Sequence, residues 1–583
     1  MPAERRIGPC RCCVIALLLA FLQFAPPPSA QAASPAPVAA RNGMVVTAHH
    51  LATDVGVDIL RRGGNAIDAA VAVGYALAVV YPAAGNLGGG GFMTLVLADG
   101  RKTFIDFREK APLAATPAMY LDQKGSVIAG LSTRGHLAVA VPGTVAGLEY
   151  ARDHFATLPR ATLLAPAIRL ADQGFVLEQG DADMLDSAAP DLRHDPASRA
   201  IFLDPTGAPI KAGDRLVQRD LAATLRAIAR AGANGFYKGP VAEAIAKSNQ
   251  AGGGLLTLAD LTAYEARERR PVECNYRGYQ VISAPPPSSG GVALCEMLNI
   301  LEGYPLADLG FHSAAAVHDQ IEAMRHAYAD RNSYLGDPDV IDNPVTRLTD
   351  KAYAATIRDV IDPRLASDSR QIRAGLPPHE GVNTTHFSIA DRFGNAVALT
   401  YTLNDWFGAR VTAAGTGVLL NDEMDDFTVK AGIPNLYGLV QGDANAIAPG
   451  KRPLSSMCPT VVARDGKPVM VVGTPGGSQI ISAVLLTILN TIDYGMTIQE
   501  AVDAPRFHQQ WMPDVTRLEP FALSPDTQRL LEADGYRFAG PQQAGHVAAV
   551  MIGAPSLGGH PVDGMRFFGA NDPRRGTGLA LGY

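Results

Sequence analysis

Residues 395–403 limit the possible folds more than any other stretch. The odd positions Val397, Leu399, Tyr401 and Leu403 are large, and the even positions Ala396, Ala398, Thr400 and Thr402 are small. A period of two marks a strand in a sheet with two distinct faces. Residues 384–390 read as a second strand, joined to the first through a turn at 391–394. In that strand Phe387 and Ile389 share a face with Thr385, while Thr384, His386 and Ser388 take the other. Thr402 and Asn404 point the same way.

The rest of the chain supplies the layers such a sheet needs. Residues 33–43 are rich in Ala and Pro and read as a flexible leader. A strand is expected at 44–48 and helices at 50–62 and 65–80, with Asn65 as the cap of the second. That second helix is apolar nearly all round, as a buried core helix is. A Gly-rich loop at 85–92 leads into a strand at 93–97, and 150–270 reads largely helical. A strand at 276–283 ends in a Pro/Ser/Gly turn, followed by helices from about 292 and over 314–334. Near the C-terminal end come a short strand at 469–472, a tight loop at 474–477 and an apolar helix at 478–490. The 583 residues would divide into about four domains of roughly 150 residues. No linker separates the interleaved strands and helices, so the expectation is one large α/β sandwich.

Composition removes several function classes. Apolar residues make up 47% and charged residues 18%, which excludes disorder for most of the chain. No run of apolar residues is flanked like a membrane span, and a net charge of −7 argues against a nucleic-acid binder. Arg5, Arg6 and Arg11, an apolar run at 12–25 and the small-residue site Ala30-Gln31-Ala32 read as a signal peptide over 1–32 of a bacterial exported, periplasmic protein. A retained membrane anchor is the alternative. Removal of 1–32 leaves Cys274, Cys295 and Cys458, an odd set with at least one free or intermolecular thiol.

Few local motifs carry chemistry alone. Walker, HExxH and GxSxG motifs are absent, and His49-His50 and the other histidines lack metal-ligand spacing, so no metal site is expected. Pro475-Gly476-Gly477 sits at a strand-to-helix junction, where amides at a helix start could hold a developing oxyanion; a plain tight turn is the alternative. Ser455-Ser456 could bind a carboxylate or simply cap a turn. Arg108 could fork a carboxylate or pair with Glu109 or Asp106 at the surface. Asp425-Asp426 could hold an amine or lie in a solvated turn.

In order, these pieces resemble a γ-glutamyltransferase (glutathione hydrolase) of the N-terminal nucleophile hydrolase superfamily. The likeness starts upstream with Asp106-Phe107-Arg108-Glu109 and Val141-Pro142-Gly143-Thr144. It continues through Thr384-Thr385-His386-Phe387-Ser388, Asn421-Asp422-Glu423-Met424-Asp425-Asp426-Phe427, Leu454-Ser455-Ser456-Met457 and Gly473-Thr474-Pro475-Gly476-Gly477 to Ala504-Pro505-Arg506-Phe507-His508.

The resemblance implies a four-layer αββα sandwich with one composite core built from two autocleaved subunits. The precursor cuts itself at Asn383-Thr384 into a large subunit, 33–383, and a small catalytic subunit, 384–583. Thr384 then carries nucleophile and base on one residue, because a free α-amine titrates at about 7.7–8.0. Thr402 supports the nucleophile, and Gly476 and Gly477 form the oxyanion hole. Arg108, Ser455 and Ser456 hold the α-carboxylate of a γ-glutamyl group, and Asn404, Glu423 and Asp426 hold its α-ammonium. Tyr437 lies on a lid loop at 430–447. The substrates implied are glutathione and other γ-glutamyl compounds with water, amino acid or dipeptide acceptors, and no cofactor is involved. A related acylase of glutaryl-type β-lactam side chains would share the nucleophile but has no ammonium to bind. A non-catalytic binding protein is a third reading.

Overall fold

A computed structural model describes residues 34–372 and 384–583. The expected signal peptide and Asn383 lie outside the described residues. Two seven-stranded antiparallel sheets organise residues 36–583. The first runs in the order Leu579–Gly582, Gly43–Thr47, Thr385–Asp391, Ala396–Thr402, Gly90–Val96, Lys102–Phe107, Arg267–Arg269. The second runs Val38–Ala40, Phe567–Asn571, Ala548–Ile552, Lys467–Gly473, Thr460–Arg464, Tyr279–Ser283, Val272–Tyr276.

Side-chain alternation stacks the layers. In Ala396–Thr402 the large residues Val397, Leu399 and Tyr401 pack with the helices His50–Arg61 and Ala66–Val80. The small residues Ala396 and Ala398 face the other way and meet Val461, Val471, Ala548 and Val550 of the second sheet. The opposite face of the second sheet, with Met470, Val472, Ala549 and Met551, packs on the helices Gly290–Leu301, Ala314–Tyr334 and Gln479–Ile492. The order is helix, sheet, sheet, helix, the N-terminal nucleophile hydrolase architecture. The unequal faces have a direct cause: small residues let two sheets approach, and long ones fill the space beneath helices.

Helix Ala66–Val80 is buried at every position, and its start is fixed from two sides. Asn65 Oδ1 accepts from the Asp68 amide at 2.8 Å, and Asp68 Oδ2 accepts from the Asn65 amide at 2.8 Å. A cap of this kind contributes about 1 kcal/mol. Asp391 accepts from the Ala66 amide at 2.7 Å. A residue from the C-terminal part thus satisfies a helix start in the N-terminal part, and the expected division at 383/384 would run through one core.

Three expectations are corrected. The Ala/Pro-rich leader is not loose throughout: Val38–Ala40 is an edge strand, with Val38 opposite Gly569 and Ala40 opposite Phe567. Pairing to an existing sheet edge overrides the weak strand propensity of this segment. The strand after the Gly-rich loop starts earlier, at Gly90, because Gly90 and Gly91 pair with Thr402 and Tyr401. A side chain at Gly91 would lie 2.4 Å from the Thr400 carbonyl oxygen. The strand expected at 276–283 is a hairpin of Val272–Tyr276 and Tyr279–Ser283, turned at Arg277 and Gly278 with φ 47° and 85°. Cys274 in this hairpin is disulfide-bonded to Cys295 in helix Gly290–Leu301, and Cys458 is a buried free thiol.

Candidate active site

Thr384 stands at the mouth of the gap between the sheets, immediately before strand Thr385–Asp391. The face it shares with His386 and Ser388 is lined inward: His386 Nδ1 is 2.8 Å from Thr400 Oγ1 and Nε2 is 3.0 Å from Ser388 Oγ. Thr402 ends the neighbouring strand and places its Oγ1 3.4 Å from Thr384 Oγ1. It also accepts from the Asn404 amide at 2.9 Å. Asn404 has φ 78°, a left-handed conformation that Asn tolerates better than most residues. The turn aims its side chain back at the site, where Nδ2 donates to the Asp422 carbonyl at 3.1 Å. Asn404 Oδ1 is buried and has no donor among the described residues.

A small cavity opens at Thr384. Thr402, Asn404, Arg108, Glu423, Asp426, Tyr437, Ser455, Ser456 and Gly477 line it with Thr384. Ten of the eleven residues expected from sequence therefore meet in one place. Gly476 lies beside that lining rather than in it. Thr385, on the opposite strand face, is not part of it.

The glycine loop connects strand Lys467–Gly473 of the second sheet to helix Gln479–Ile492. Gly476 has φ 144° and Gly477 φ 54°. Among the described residues the amides of Gly476 and Gly477 donate to no acceptor, while their carbonyls accept from Gln479 and Ile480 at 3.0 and 3.3 Å. The loop thus presents free donors at a helix start, as an oxyanion requires. A side chain at Gly477 would strike the Tyr437 ring at 2.3 Å. Tyr437 is itself fixed by donating to the Asn404 carbonyl at 2.6 Å.

The loop 430–447 closes over the cavity and is tied down by the acidic turn Glu423–Asp426. Asp425 accepts from Ser132 Oγ and from the Leu436 amide, both at 2.6 Å, and Asn435 Nδ2 donates to Asp426 at 3.1 Å. Burial pushes the Asp425 carboxyl up to about 6.

Charge is distributed unevenly. Arg108 is fully buried rather than at the surface; it donates to Glu423, to Asp426 and, at 3.1 Å, to the Pro453 carbonyl. Burial lowers its guanidinium, but Glu423, Asp426 and Glu109 outweigh that and raise it. Burial pushes Glu109 up to about 7 against the pull of Arg108, and it pushes Glu423 well above the carboxylate range. Both oxygens of Glu109 and Oε2 of Glu423 have no donor among the described residues. Two adjacent buried carboxyls with three of their four oxygens lacking a donor are best satisfied by holding a proton.

The sequence did not single out Arg331, Leu439, Met457 and Ile480, which also line the cavity. Leu439 follows Tyr437 on the lid, Met457 follows the serine pair and Ile480 follows the glycine loop, so proximity to a motif was their available signal. Arg331 lies in helix Ala314–Tyr334, whose arginines look alike in sequence.

A threonine between two sheets, a second threonine beside it and a glycine loop at a helix start fit the N-terminal nucleophile hydrolase fold. The chain belongs to the gamma-glutamyltranspeptidase family, which it matches over residues 52–582. It is 68% identical over 553 residues to a glutathione hydrolase proenzyme of Pseudomonas sp. (strain A14), covering 95% of this chain and 96% of that one. It is 51% identical to the glutathione hydrolase proenzyme of Escherichia coli (strain K12), with 94% and 93% covered. The cephalosporin acylase from Bacillus halodurans superposes with a TM-score of 0.81 at 28% identity, over 96% of this chain and 99% of that one.

Proposed function

We propose that the protein is a γ-glutamyl hydrolase and transpeptidase made from a self-cleaving precursor. The observation that carries this reading is the assembly of Thr384, Thr402, Gly477 and a set of cationic, anionic and hydroxyl groups around one cavity, with Gly476 beside it. Thr384 Oγ attacks the Asn383 carbonyl, the peptide bond becomes an ester, and water cleaves that ester to leave an Asn383 carboxylate and a free Thr384 amine. In turnover the amine takes the hydroxyl proton as Oγ attacks the γ-carbonyl of the donor. The oxyanion is met by the glycine amides, and the leaving amine departs with the proton. Water or the amine of an amino acid or dipeptide then attacks the Thr384 ester and releases glutamate or a new γ-glutamyl compound.

Arg108, Ser455 and Ser456 serve the donor's α-carboxylate; Asn404, Glu423 and Asp426 serve its α-ammonium. A bound ammonium replaces Arg108 as partner of the acidic turn and frees the guanidinium for the carboxylate. Tyr437 closes the lid and shields the ester from bulk water. Glutathione is the leading donor, in line with the names of the two relatives. The enzyme is exported to the periplasm after loss of 1–32 and works as a heterodimer of 33–383 and 384–583. A disulfide between Cys274 and Cys295 suits an oxidising compartment.

The acylase likeness is tested directly by comparing γ-glutamyl and glutaryl anilides. The γ-glutamyl compound should react faster, and Asp426→Ala should slow it more than the glutaryl compound. Faster glutaryl hydrolysis by the unaltered enzyme would reverse the assignment.

A further inference from the structure

Arg331 is fully buried, lines the catalytic cavity and makes four hydrogen bonds, all to neutral groups. Its Nε donates to Ser289 Oγ at 3.1 Å, Nη1 to Asn332 Oδ1 and Gln441 Oε1 at 2.9 Å each, and Nη2 to Ser456 Oγ at 3.2 Å. Among the described residues no carboxylate lies within ion-pair distance of it.

The other deeply buried arginines differ. Arg108 is paired with Glu423 and Asp426, Arg325 with Glu322 at 3.2 Å, Arg452 with Asp106 at 3.2 Å and Arg506 with Asp572 at 2.8 Å. Less deeply, Arg410 has Asp405 at 3.0 Å. A buried guanidinium without a counter-ion is costly, and the rest of this molecule avoids it. Burial pulls the Arg331 guanidinium down to about 10, whereas carboxylates hold Arg108 and Arg452 up. Asp426 acts on Arg331 only at longer range and is itself bonded to Arg108.

An unneutralised cation at the wall of a substrate cavity is a preorganised site for an anion. We infer that Arg331 is a positioning and specificity residue for the donor's α-carboxylate, acting through Ser456 and adding its positive charge to that of Arg108. The Ser456 hydroxyl that accepts from Arg331 Nη2 is thereby turned to donate its own proton to the carboxylate. Gln441, on the lid loop, holds the other edge of the guanidinium and also donates to the Asp426 carbonyl at 3.1 Å. Lid closure and carboxylate recognition share this residue. The inference rests on the γ-glutamyl reading of the site.

The test uses the processed enzyme and two anilides, γ-glutamyl and 4-aminobutyryl, which differ only in the α-carboxylate. Arg331→Gln removes the charge. Gln441→Glu keeps the shape but gives Arg331 an internal counter-ion, so it remains informative if Arg331→Gln fails to fold. Each variant should lower the γ-glutamyl over 4-aminobutyryl ratio of kcat/KM roughly 10- to 100-fold, chiefly through KM for the γ-glutamyl compound. Arg331→Lys should recover part of the loss. A merely structural role would lower both substrates together and leave the ratio unchanged, and that result in Gln441→Glu would overturn the inference. Should the unaltered enzyme prefer glutaryl to γ-glutamyl anilide, the reading of the site falls instead.

Discussion

The two sheets look alike in size and direction but are assembled differently across 383/384. In the first, two of the three strands after that point, Thr385–Asp391 and Ala396–Thr402, sit side by side in the centre, and the third, Leu579–Gly582, lies at an edge. The central two are enclosed by Gly43–Thr47 and Gly90–Val96 from before it. In the second, four strands from the C-terminal part form a continuous block, and earlier segments pair at its two edges. Strand Thr385–Asp391 is paired on both flanks, with Thr385 opposite Tyr401 and Ser388 opposite Val46, so a chain end created just before it stays in register. The second delivers the glycine loop on a unit that needs no such clamp. A new terminus can serve as a catalytic group only where surrounding strands already fix it, and only the first sheet offers that position.

The comparison can be broken hardest at Thr384. Thr384→Ala should leave one uncut, inactive chain, since both the ester and the turnover nucleophile need the hydroxyl. Two fragments on a denaturing gel would contradict this. Gly477→Ala attacks the second sheet's contribution: with φ 54° and Tyr437 at 2.3 Å from the new methyl, the loop must shift. The expected loss in kcat is about 10²- to 10³-fold, measured on γ-glutamyl anilide. Cys274→Ser probes the second sheet's edge, whose disulfide closes a short segment, Cys274 to Cys295. A loss of about 2–4 kcal/mol in denaturant unfolding is expected, with little change in kcat because the site lies elsewhere. Ala398→Leu overpacks the layer between the sheets and should cost about 1–3 kcal/mol.

The smallest effect concerns pH. Burial pushes His386, on the first sheet, down to about 3 and His546, beside the second, to about 4. Both are neutral when folded and protonated near pH 6.5 when unfolded. Depressed folded values give stability that is present above about pH 6.5 and lost as pH falls through the folded values. Each group adds a slope of at most about 1.4 kcal/mol per pH unit. Calorimetry from pH 7 to 4 on His386→Gln and His546→Gln should show a flatter decline in each; an unchanged slope in His386→Gln would show that the layer between the sheets does not exclude protons.

Much of this was legible in the sequence because the faces of one strand are so unequal. The alternation at 395–403 located the doubly covered sheet, and Asn65 with Asp68 fixed the start of the buried helix. The strand-to-helix junction at Gly476-Gly477 likewise emerged from local pattern. Two misses share one cause: Val38–Ala40 and the early start at Gly90 are set by partners far along the chain, whereas the turn at Arg277-Gly278 is a local hairpin. Site chemistry followed the same divide. Ser455-Ser456 and Asp426 stand in recognisable strings, whereas Arg331 is distinguished only by having no carboxylate near it, which a linear sequence does not display. Arg108 does lie 3.6 Å from Glu109, but the pair is buried beside the acidic turn rather than at the surface.

The account rests on Thr384 becoming a chain terminus. N-terminal sequencing and intact mass of the smaller fragment from active enzyme test this most directly. The account predicts a fragment that begins Thr384-Thr385-His386-Phe387-Ser388 and ends at Tyr583. Full activity in an uncut chain, or a fragment starting at another residue, would contradict it.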